Sequence, residues 1–193
     1  TAAISLAVFE YCAFILGPLC FLLSPVPFIL AVFYPTMKRI SWGSHFVLGS
    51  VLAIAPYGAW IASRGGFDLV PFLLSLGVIF WVAGFDMVYA LQDIEFDRAE
   101  GLRSFPERFG KDLTLTATRI LHLFSVIFWA VAGYLNGQGI FFFGGILLAA
   151  LFMNRSHRLV RSFGTAKINE AFFVMNVIVS LGLFVATAVD IIF

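Results

Sequence analysis

The stretch from residue 69 to residue 101, "LVPFLLSLGVIFWVAGFDMVYALQDIEFDRAEG", joins a long apolar run to a cluster of acidic side chains. Its apolar part approaches the roughly 20 residues that a helix needs to cross a bilayer. Four of the chain's eleven acidic residues follow within twelve positions: Asp86, Asp93, Glu95 and Asp97. Because the chain is 61% hydrophobic and only 12% charged, this concentration of carboxylates calls for a functional explanation.

The composition and the apolar runs predict an all-α, polytopic transmembrane helical bundle that forms a single domain over residues 1–193. Soluble domains carry about a quarter of charged residues, roughly twice the share found here. No basic helix or aromatic-basic stripe indicates a nucleic-acid partner, so the expected surroundings are a lipid bilayer. About seven apolar segments can be marked, roughly at 1–23, 25–37, 43–63, 69–92, 114–135, 139–153 and 168–192.

Basic residues are distributed very unevenly between the two sides of this predicted bundle. With alternating loops, one side receives Arg64 alone and the other receives the remaining eleven Lys and Arg residues. The positive-inside rule makes the second side cytoplasmic. The acidic cluster then lies on the cytoplasmic side.

Three of the four acidic residues share one face if the fourth helix continues to residue 97. At about 100° per residue, Asp86, Asp93 and Asp97 fall within about 40° of one another, with Tyr89 beside them and Glu95 nearly opposite. Carboxylates at a membrane are costly and normally face a cavity or a partner. Oxygen ligands in a DxxxD spacing favour Mg²⁺, which typically takes one or two carboxylates and phosphate oxygens.

Two basic elements lie on the same predicted side. The stretch "YPTMKR" places Tyr34 and Lys38 in a YxxxK spacing, and "GLRSFPERFGK" carries Arg103, Arg108 and Lys111 in a predicted loop. Carboxylates for a metal together with Lys and Arg for phosphate oxygens form a coherent set for a pyrophosphate. The alternative is a polar helix end whose carboxylates pair with Arg98, Arg103 or Lys111.

The stretch "DMVYALQDIEFDRAEGLRSFPERFG" resembles the second aspartate-rich motif of the UbiA superfamily of intramembrane prenyltransferases. It is most similar to the bacterial branch that prenylates 4-hydroxybenzoate or related aromatic acids for quinone synthesis. The stretches "YPTMKRISWGSHFVLG" and "APYGAWIASRGG" resemble the basic segment after that family's fourth helix and the helix that follows it. The resemblance covers essentially the whole chain and implies a nine-helix fold, of which about seven helices are present.

The resemblance implies that Asp93 and Asp97 bind Mg²⁺ that bridges the diphosphate of a polyprenyl donor, and that these two residues serve catalysis. It also implies that Lys38, Tyr34 and Arg103 contact diphosphate oxygens. Asp86 and Tyr89 belong to the "DxxYAxxD" extension of the motif, and we expect them to line the site near an aromatic acid acceptor. The expected location is the bacterial inner membrane, with the active site on its cytoplasmic side.

The sequence departs from the family pattern in one respect. The family carries a first aspartate-rich motif of NDxxDxxxD type after its second helix, and no such motif occurs in this sequence. We expect that motif and the first two helices to lie upstream of Thr1. The 193-residue chain alone is therefore not expected to catalyse the transfer.

Alternatives to transfer onto a 4-hydroxybenzoate-type ring stay open. The acceptor could be a naphthoate-type menaquinone precursor, or the chain could be a non-catalytic membrane subunit or a transporter. His45, His122 and His157 show no metal-binding spacing, which favours packed or interfacial roles. Glu10 and Asp190 lie inside apolar runs, where an ionisable residue is a functional candidate.

Overall fold

The computed structural model describes residues 2–164, 168–169, 173 and 175–193. These residues form helices and no β-strand, which confirms the predicted all-α class. The helices are α1 (Ala2–Leu16), α2 (Pro18–Leu23), α3 (Pro25–Ile40), α4 (Ser44–Arg64), α5 (Leu69–Tyr89), α6 (Ile94–Ala99), α7 (Phe105–Leu135), α8 (Ile140–Phe163) and α9 (Met175–Ile192).

Five helical stretches in the described part of the chain are long and apolar enough to cross a membrane: Pro18–Ile40, Ser44–Arg64, Leu69–Gln92, Phe105–Leu135 and Ile140–Phe163. Two shorter apolar helices, Ala3–Leu16 and Asn176–Ile192, accompany them. They correspond in order to the seven apolar segments of the sequence, although residues 170–172 and 174 of the seventh lie outside the described residues. The second and sixth segments, the shortest of the seven in the sequence, both extend into their flanks and reach membrane-spanning length.

The predicted start of the second segment at Pro25 is confirmed, because α3 begins there. The structure adds a break at Gly17 that was not predicted, and the stretch Pro18–Ile40 on its far side is long enough to cross a membrane. The φ of Gly17, 126°, is a backbone conformation that residues with a side chain rarely adopt. Ser24 keeps helical dihedral angles and makes no capping hydrogen bond. Its hydroxyl donates to Glu10 Oε2 at 2.6 Å, so these two polar groups satisfy each other between α1 and the α2–α3 stretch.

The fourth membrane helix does not continue to residue 97, and the prediction of one uninterrupted stripe is therefore wrong. α5 ends at Tyr89, a single 3₁₀ turn covers Ala90–Gln92, and the separate short helix α6 begins at Ile94. The tighter turn rotates the chain, because a 3₁₀ helix has about 3.0 residues per turn instead of 3.6. The relative placement of the aspartates thus depends on this turn and not on α-helical periodicity.

The basic stretch predicted as a loop is largely helical. Ser104 accepts a hydrogen bond from the Glu107 backbone N–H and starts α7, with Pro106 in its first turn, where the missing N–H costs nothing. Only Gly110 departs from helical geometry, with a φ of 77°, and bends the helix. The stretch is therefore a kinked extension of the fifth membrane helix.

α5 lies at the centre of the bundle and packs most extensively against α4 and α7. Near its end, Val88 and Leu91 pack with Leu115 of α7 and Val160 of α8, which brings the ends of α5 and α8 next to the first part of α7. We call this end of the bundle, where α3 also ends, the site end. At the opposite end, Asp190 accepts hydrogen bonds from the backbone N–H groups of Gly139 and Phe141 and caps α8.

Candidate functional site

Lys38 and Asp97 form an ion pair at the site end, although 59 residues separate them in the chain. The Lys38 Nζ lies 3.4 Å from Asp97 Oδ1 and 3.5 Å from Oδ2. The Asp97 side chain is only 1% exposed, whereas that of Lys38 is 27% exposed. A buried carboxylate needs such a partner because its transfer from water is costly when it is unpaired. The predicted alternative partners, Arg98, Arg103 and Lys111, do not make this contact.

Asp93 lies in the electrostatic field of the same groups. Partial burial raises the pKa of the Asp93 carboxyl, and the negative charges of Asp97 and Asp86 raise it further, while Lys38 opposes the shift. These interactions show that the 3₁₀ turn brings the three aspartates together at the site end. Within the described residues, however, no three His, Cys, Asp or Glu side chains converge closely enough to hold a metal ion by themselves.

Arg103 fastens the loop after α6 to the end of α3. Its backbone N–H donates to the Lys38 carbonyl at 2.5 Å, and its Nη1 donates to the Ile40 carbonyl at 3.0 Å. The side chain also lines a surface cavity of about 570 Å³ together with Arg98 and Arg108. Arg103 is therefore bonded to the backbone of Lys38, next to the Lys38–Asp97 pair, and its side chain lies at the rim of an arginine-rich cavity.

His45 is a site residue that the sequence analysis missed. Its ring is fully buried, and its Nδ1 lies 2.6 Å from Asp86 Oδ2. Its Nε2 accepts a hydrogen bond of 3.4 Å from the backbone N–H of Phe105 at the start of α7. The only available sequence signal was the position of a histidine at the start of a membrane helix, directly after the basic YPTMKR element.

The two tyrosines of the predicted site occupy different positions. Tyr34 is half-buried in α3 and lies close enough to Asp86 for the carboxylate charge to act on its hydroxyl. Tyr89 is the last residue of α5 and packs against the core formed by Val88 and Leu115. Glu95, which was not assigned to the site, is exposed on α6.

His122 and His157, which looked unrelated in sequence, meet between α7 and α8. The His122 Nδ1 and His157 Nε2 atoms are 2.9 Å apart, and the two residues are 7% and 3% exposed. This pair lies apart from the aspartates: His122 is about two helical turns beyond Leu115 along α7, and His157 is about one turn before Val160 in α8. Neither residue was predicted to contact the other, because nothing in their spacing fixes how two helices pack.

These features agree with what comparison to known proteins finds. A sequence model described as the UbiA prenyltransferase family matches residues 1–178, which is most of the chain. The chain belongs to the UbiA prenyltransferase family. Among relatives of this UbiA-family chain, a 4-hydroxybenzoate octaprenyltransferase of Nitrosococcus oceani is 31% identical over 159 residues, which are 82% of this chain and 55% of the relative.

A second relative carries the same name and shows a similar overlap. The 4-hydroxybenzoate octaprenyltransferase of Francisella tularensis subsp. novicida is 27% identical over 161 residues, 83% of this chain and 56% of the relative. The UbiA-family chain thus spans about half the length of these curated relatives. Its helical, apolar character and its family identify it as an integral membrane protein.

Solved structures show the same fold. The apo structure of a UbiA homolog from Aeropyrum pernix K1 superimposes with a TM-score of 0.84 at 28% identity, covering 95% of this chain and 70% of the homolog. A digeranylgeranylglyceryl phosphate synthase superimposes with a TM-score of 0.75 at 18% identity, covering 97% and 67% of the two chains. The second likeness, at its low identity, concerns the fold alone.

Proposed function

We propose that the protein transfers a polyprenyl group from a polyprenyl diphosphate to an aromatic acid of the 4-hydroxybenzoate type in quinone biosynthesis, with Mg²⁺ as cofactor. The observation that carries this proposal is the convergence of Lys38 of α3 with Asp93 and Asp97, at the start and in the middle of α6, at one end of the bundle. The names of the two relatives support the acceptor class.

The residues at the site end fit a Mg²⁺-diphosphate complex. Asp93 and Asp97 supply the hard oxygen ligands that Mg²⁺ prefers, and two carboxylates leave positions for phosphate oxygens and water. The pKa of Asp93 is raised mainly by burial and in smaller part by the negative charges of Asp97 and Asp86, and a bound cation would favour its ionised form. Lys38 already neutralises part of this charge and can donate to a diphosphate oxygen, since its ammonium has three donors.

The chain's own residues would assist departure of the diphosphate. The bond between the allylic carbon and the diphosphate oxygen breaks, and its electron pair leaves with the diphosphate. Mg²⁺, when bound, stabilises that developing charge as a Lewis acid. Lys38 would donate hydrogen bonds to the same oxygens, and so would Arg103 and Tyr34 after moving closer to the diphosphate. These hydrogen bonds stabilise the transition state electrostatically.

The acceptor ring then completes the transfer. A ring carbon ortho to the hydroxyl supplies the electron pair for the new carbon–carbon bond, and that carbon afterwards loses its proton to water. Asp86 and Tyr89 would line the acceptor side of the site. An interior rich in phenylalanine would keep water away from the allylic cation until the ring attacks.

The site end would face the cytoplasm, and the membrane would be a bacterial inner membrane. The uneven distribution of Lys and Arg supports this orientation, because the basic residues concentrate at the ends of α3, α6 and α8. A naphthoate acceptor is the alternative within the same chemistry. Transfer to a naphthoate would use the same residues to bind the polyprenyl diphosphate and would differ only in the acceptor ring.

The proposal is tested by prenyl transfer in membranes that contain the protein expressed from its complete gene. Polyprenyl diphosphate and Mg²⁺ are supplied with either 4-hydroxybenzoate or a dihydroxynaphthoate. We expect Asp93→Ala and Asp97→Ala each to lower kcat/KM by about 10²–10³, the range for loss of one group that stabilises developing charge. The preferred ring then identifies the acceptor class.

Glu95→Ala is the matched control, because Glu95 lies on the same short helix and carries the same charge but is exposed. It should keep activity near that of the unchanged protein. Equal losses in all three variants would show that net charge and not the site matters. Absence of transfer to either ring would instead favour a non-catalytic subunit or a transporter.

A further inference from the structure

His45 links three helices at the site end through both of its ring nitrogens. It lies on α4, accepts from the Phe105 backbone at the start of α7, and contacts Asp86 of α5. No part of its side chain reaches solvent. Its position is thus determined entirely by these two hydrogen bonds and by packing.

The two contacts also determine where the ring proton lies. A backbone N–H can only donate, so Nε2 has to accept and carries no proton. The proton of the neutral ring is therefore on Nδ1, which donates to Asp86 Oδ2. When a hydrogen bond at one ring nitrogen fixes the tautomer of a histidine, the other ring nitrogen is commonly held in a set orientation towards the group that it contacts.

We propose that His45 is a positioning residue that holds the Asp86 carboxylate in the orientation required at the site. With Oδ2 engaged by His45, Oδ1 is the oxygen that stays available for a further contact at the site. This inference rests on the proposed function for its kinetic consequence but not for the contact itself. His45 touches neither Asp93 nor Asp97 and is not assigned to the metal.

Substitution of His45 by glutamine and by leucine distinguishes this positioning role from simple packing. The amide of His45→Gln presents a donor and an acceptor about as far apart as the two ring nitrogens, so it can keep both hydrogen bonds. His45→Leu fills similar space and keeps neither. We expect His45→Gln to retain kcat/KM within about threefold and His45→Leu to lose about 10–100-fold, the range seen when a supporting hydrogen bond is removed.

A double-mutant cycle with Asp86→Asn adds a readout that lost stability would not produce. If His45 acts through Asp86, His45→Leu should cause little further loss in the Asp86→Asn background. Full additivity of the two losses, or equal losses in the Gln and Leu variants, would overturn the proposal.

The tautomer is measured independently of any activity, by ¹⁵N NMR of the histidine-labelled full-length protein. We expect a ring protonated at Nδ1 whose signal is absent in His45→Gln and moves in Asp86→Asn. A ring protonated at Nε2 would overturn the proposal even if transfer is observed. If no transfer is observed but the Nδ1 signal responds to Asp86→Asn, the proposed function fails while the contact stands.

A different observation concerns the cavity between α7 and α8. It has a volume of about 250 Å³ and is lined by Arg119, His122, Leu123, Val126, Ala150, Met153, Asn154 and His157. No residue of this cavity belongs to the aspartate site. It was not expected from the sequence, because its two histidines looked unrelated.

The polar groups of this cavity are buried without enough partners. His122 and His157 bond to each other, which leaves His157 Nδ1 buried and unpartnered among the described residues. Arg119 Nε is also buried and has no partner there. Unpartnered buried polar atoms are rare in proteins, and where they occur they often bind an ordered water, an ion or a ligand.

Polar and apolar lining residues separate along the helices. Arg119, Asn154 and His157 lie nearer the site end, while Leu123, Val126 and Ala150 lie deeper along α7 and α8. Among the described residues, no acidic side chain lines the cavity. A positive, donor-rich entrance above an apolar interior suits an anionic head group with a hydrocarbon tail.

We infer that this cavity binds a phosphate-bearing amphiphile, with the phosphate at Arg119 and the tail between α7 and α8. The probes are phosphatidylglycerol, phosphatidylcholine and inorganic phosphate, each added to the purified full-length protein and followed by native mass spectrometry. We expect phosphatidylglycerol to bind more tightly than phosphatidylcholine, and Arg119→Gln to weaken it by about tenfold or more.

Arg158→Gln is the matched control, because Arg158 is exposed on α8 near the same end and does not line the cavity. Equal weakening by both arginine variants would overturn the inference in favour of nonspecific attraction. Ala150→Phe, which fills the apolar part, distinguishes the source of the phosphate. It should exclude the lipid but leave any Arg119-dependent binding of inorganic phosphate intact, and unchanged lipid binding in this variant would also overturn the inference.

Discussion

Two groups of buried polar side chains in this protein differ in how completely they are partnered. At the site end, Asp97 pairs with Lys38, and Asp86 pairs with His45, whose second nitrogen is also bonded. Between α7 and α8, two imidazoles pair with each other, and in the part of the chain that the structure describes His157 Nδ1 stays buried without a partner. The first arrangement fixes groups in place, and the second leaves groups available to a ligand.

The largest effect on stability should come from breaking the Lys38–Asp97 pair. Lys38→Met leaves a carboxylate that is 1% exposed without its cation, and we expect the free energy of unfolding to fall by about 2–3 kcal/mol. This figure lies below the usual range for fully buried pairs, because the lysine is partly exposed. Thermal unfolding in detergent measures the change.

The double variant Lys38→Met/Asp97→Asn sharpens this test. Removal of the carboxylate charge should recover most of the lost stability, because the unpaired ion is then gone. Arg39→Gln, which removes an exposed charge next to Lys38, is the control and should change stability very little. A double variant as unstable as Lys38→Met would show that the lysine acts through packing.

A smaller loss is expected where α5 meets His122. A Cβ added at Gly84 would lie 2.6 Å from His122 Nε2, so Gly84→Ala must displace the imidazole pair. We expect the free energy of unfolding to fall by about 2 kcal/mol, as in other overpacked interiors. Gly58→Ala in α4 meets nothing within 4 Å and should not destabilise the protein. Equal behaviour of both variants in thermal unfolding would contradict the close approach of α5 and α7.

The smallest effect should come from His157→Leu. It removes one hydrogen bond and leaves His122 without its partner, which costs about 1 kcal/mol of unfolding free energy. His122→Leu/His157→Leu should be no less stable than the single variant, because no imidazole is then left unpaired. Thermal unfolding again measures both, and a double variant with additive losses would show that the pair contributes more by packing than by hydrogen bonding.

The apolar segments predicted the positions of the apolar helices, because a bilayer imposes apolar composition on each helix separately; five of the seven are long enough in the described residues to cross a membrane. The break at Gly17 was missed because an isolated glycine within an apolar run is a weak signal for the end of a helix. The DxxxD spacing pointed to Asp93 and Asp97, but their arrangement depends on a 3₁₀ turn that periodicity does not reveal. Contacts such as Lys38–Asp97 and His45–Asp86 depend on how distant helices pack, which single-residue patterns do not encode.

The hydrogen bonds from Gly139 and Phe141 to Asp190 have a consequence for the order of biosynthesis. α9 leaves the ribosome after α8, so the N–H groups at the start of α8 have to remain hydrated until α9 arrives. The α7–α8 hairpin can therefore insert early, while its far end closes only when the last helix docks. In a ribosome-stalled chain that ends before Asp190, the amides of this turn should exchange their hydrogens freely, and completion of α9 should protect them.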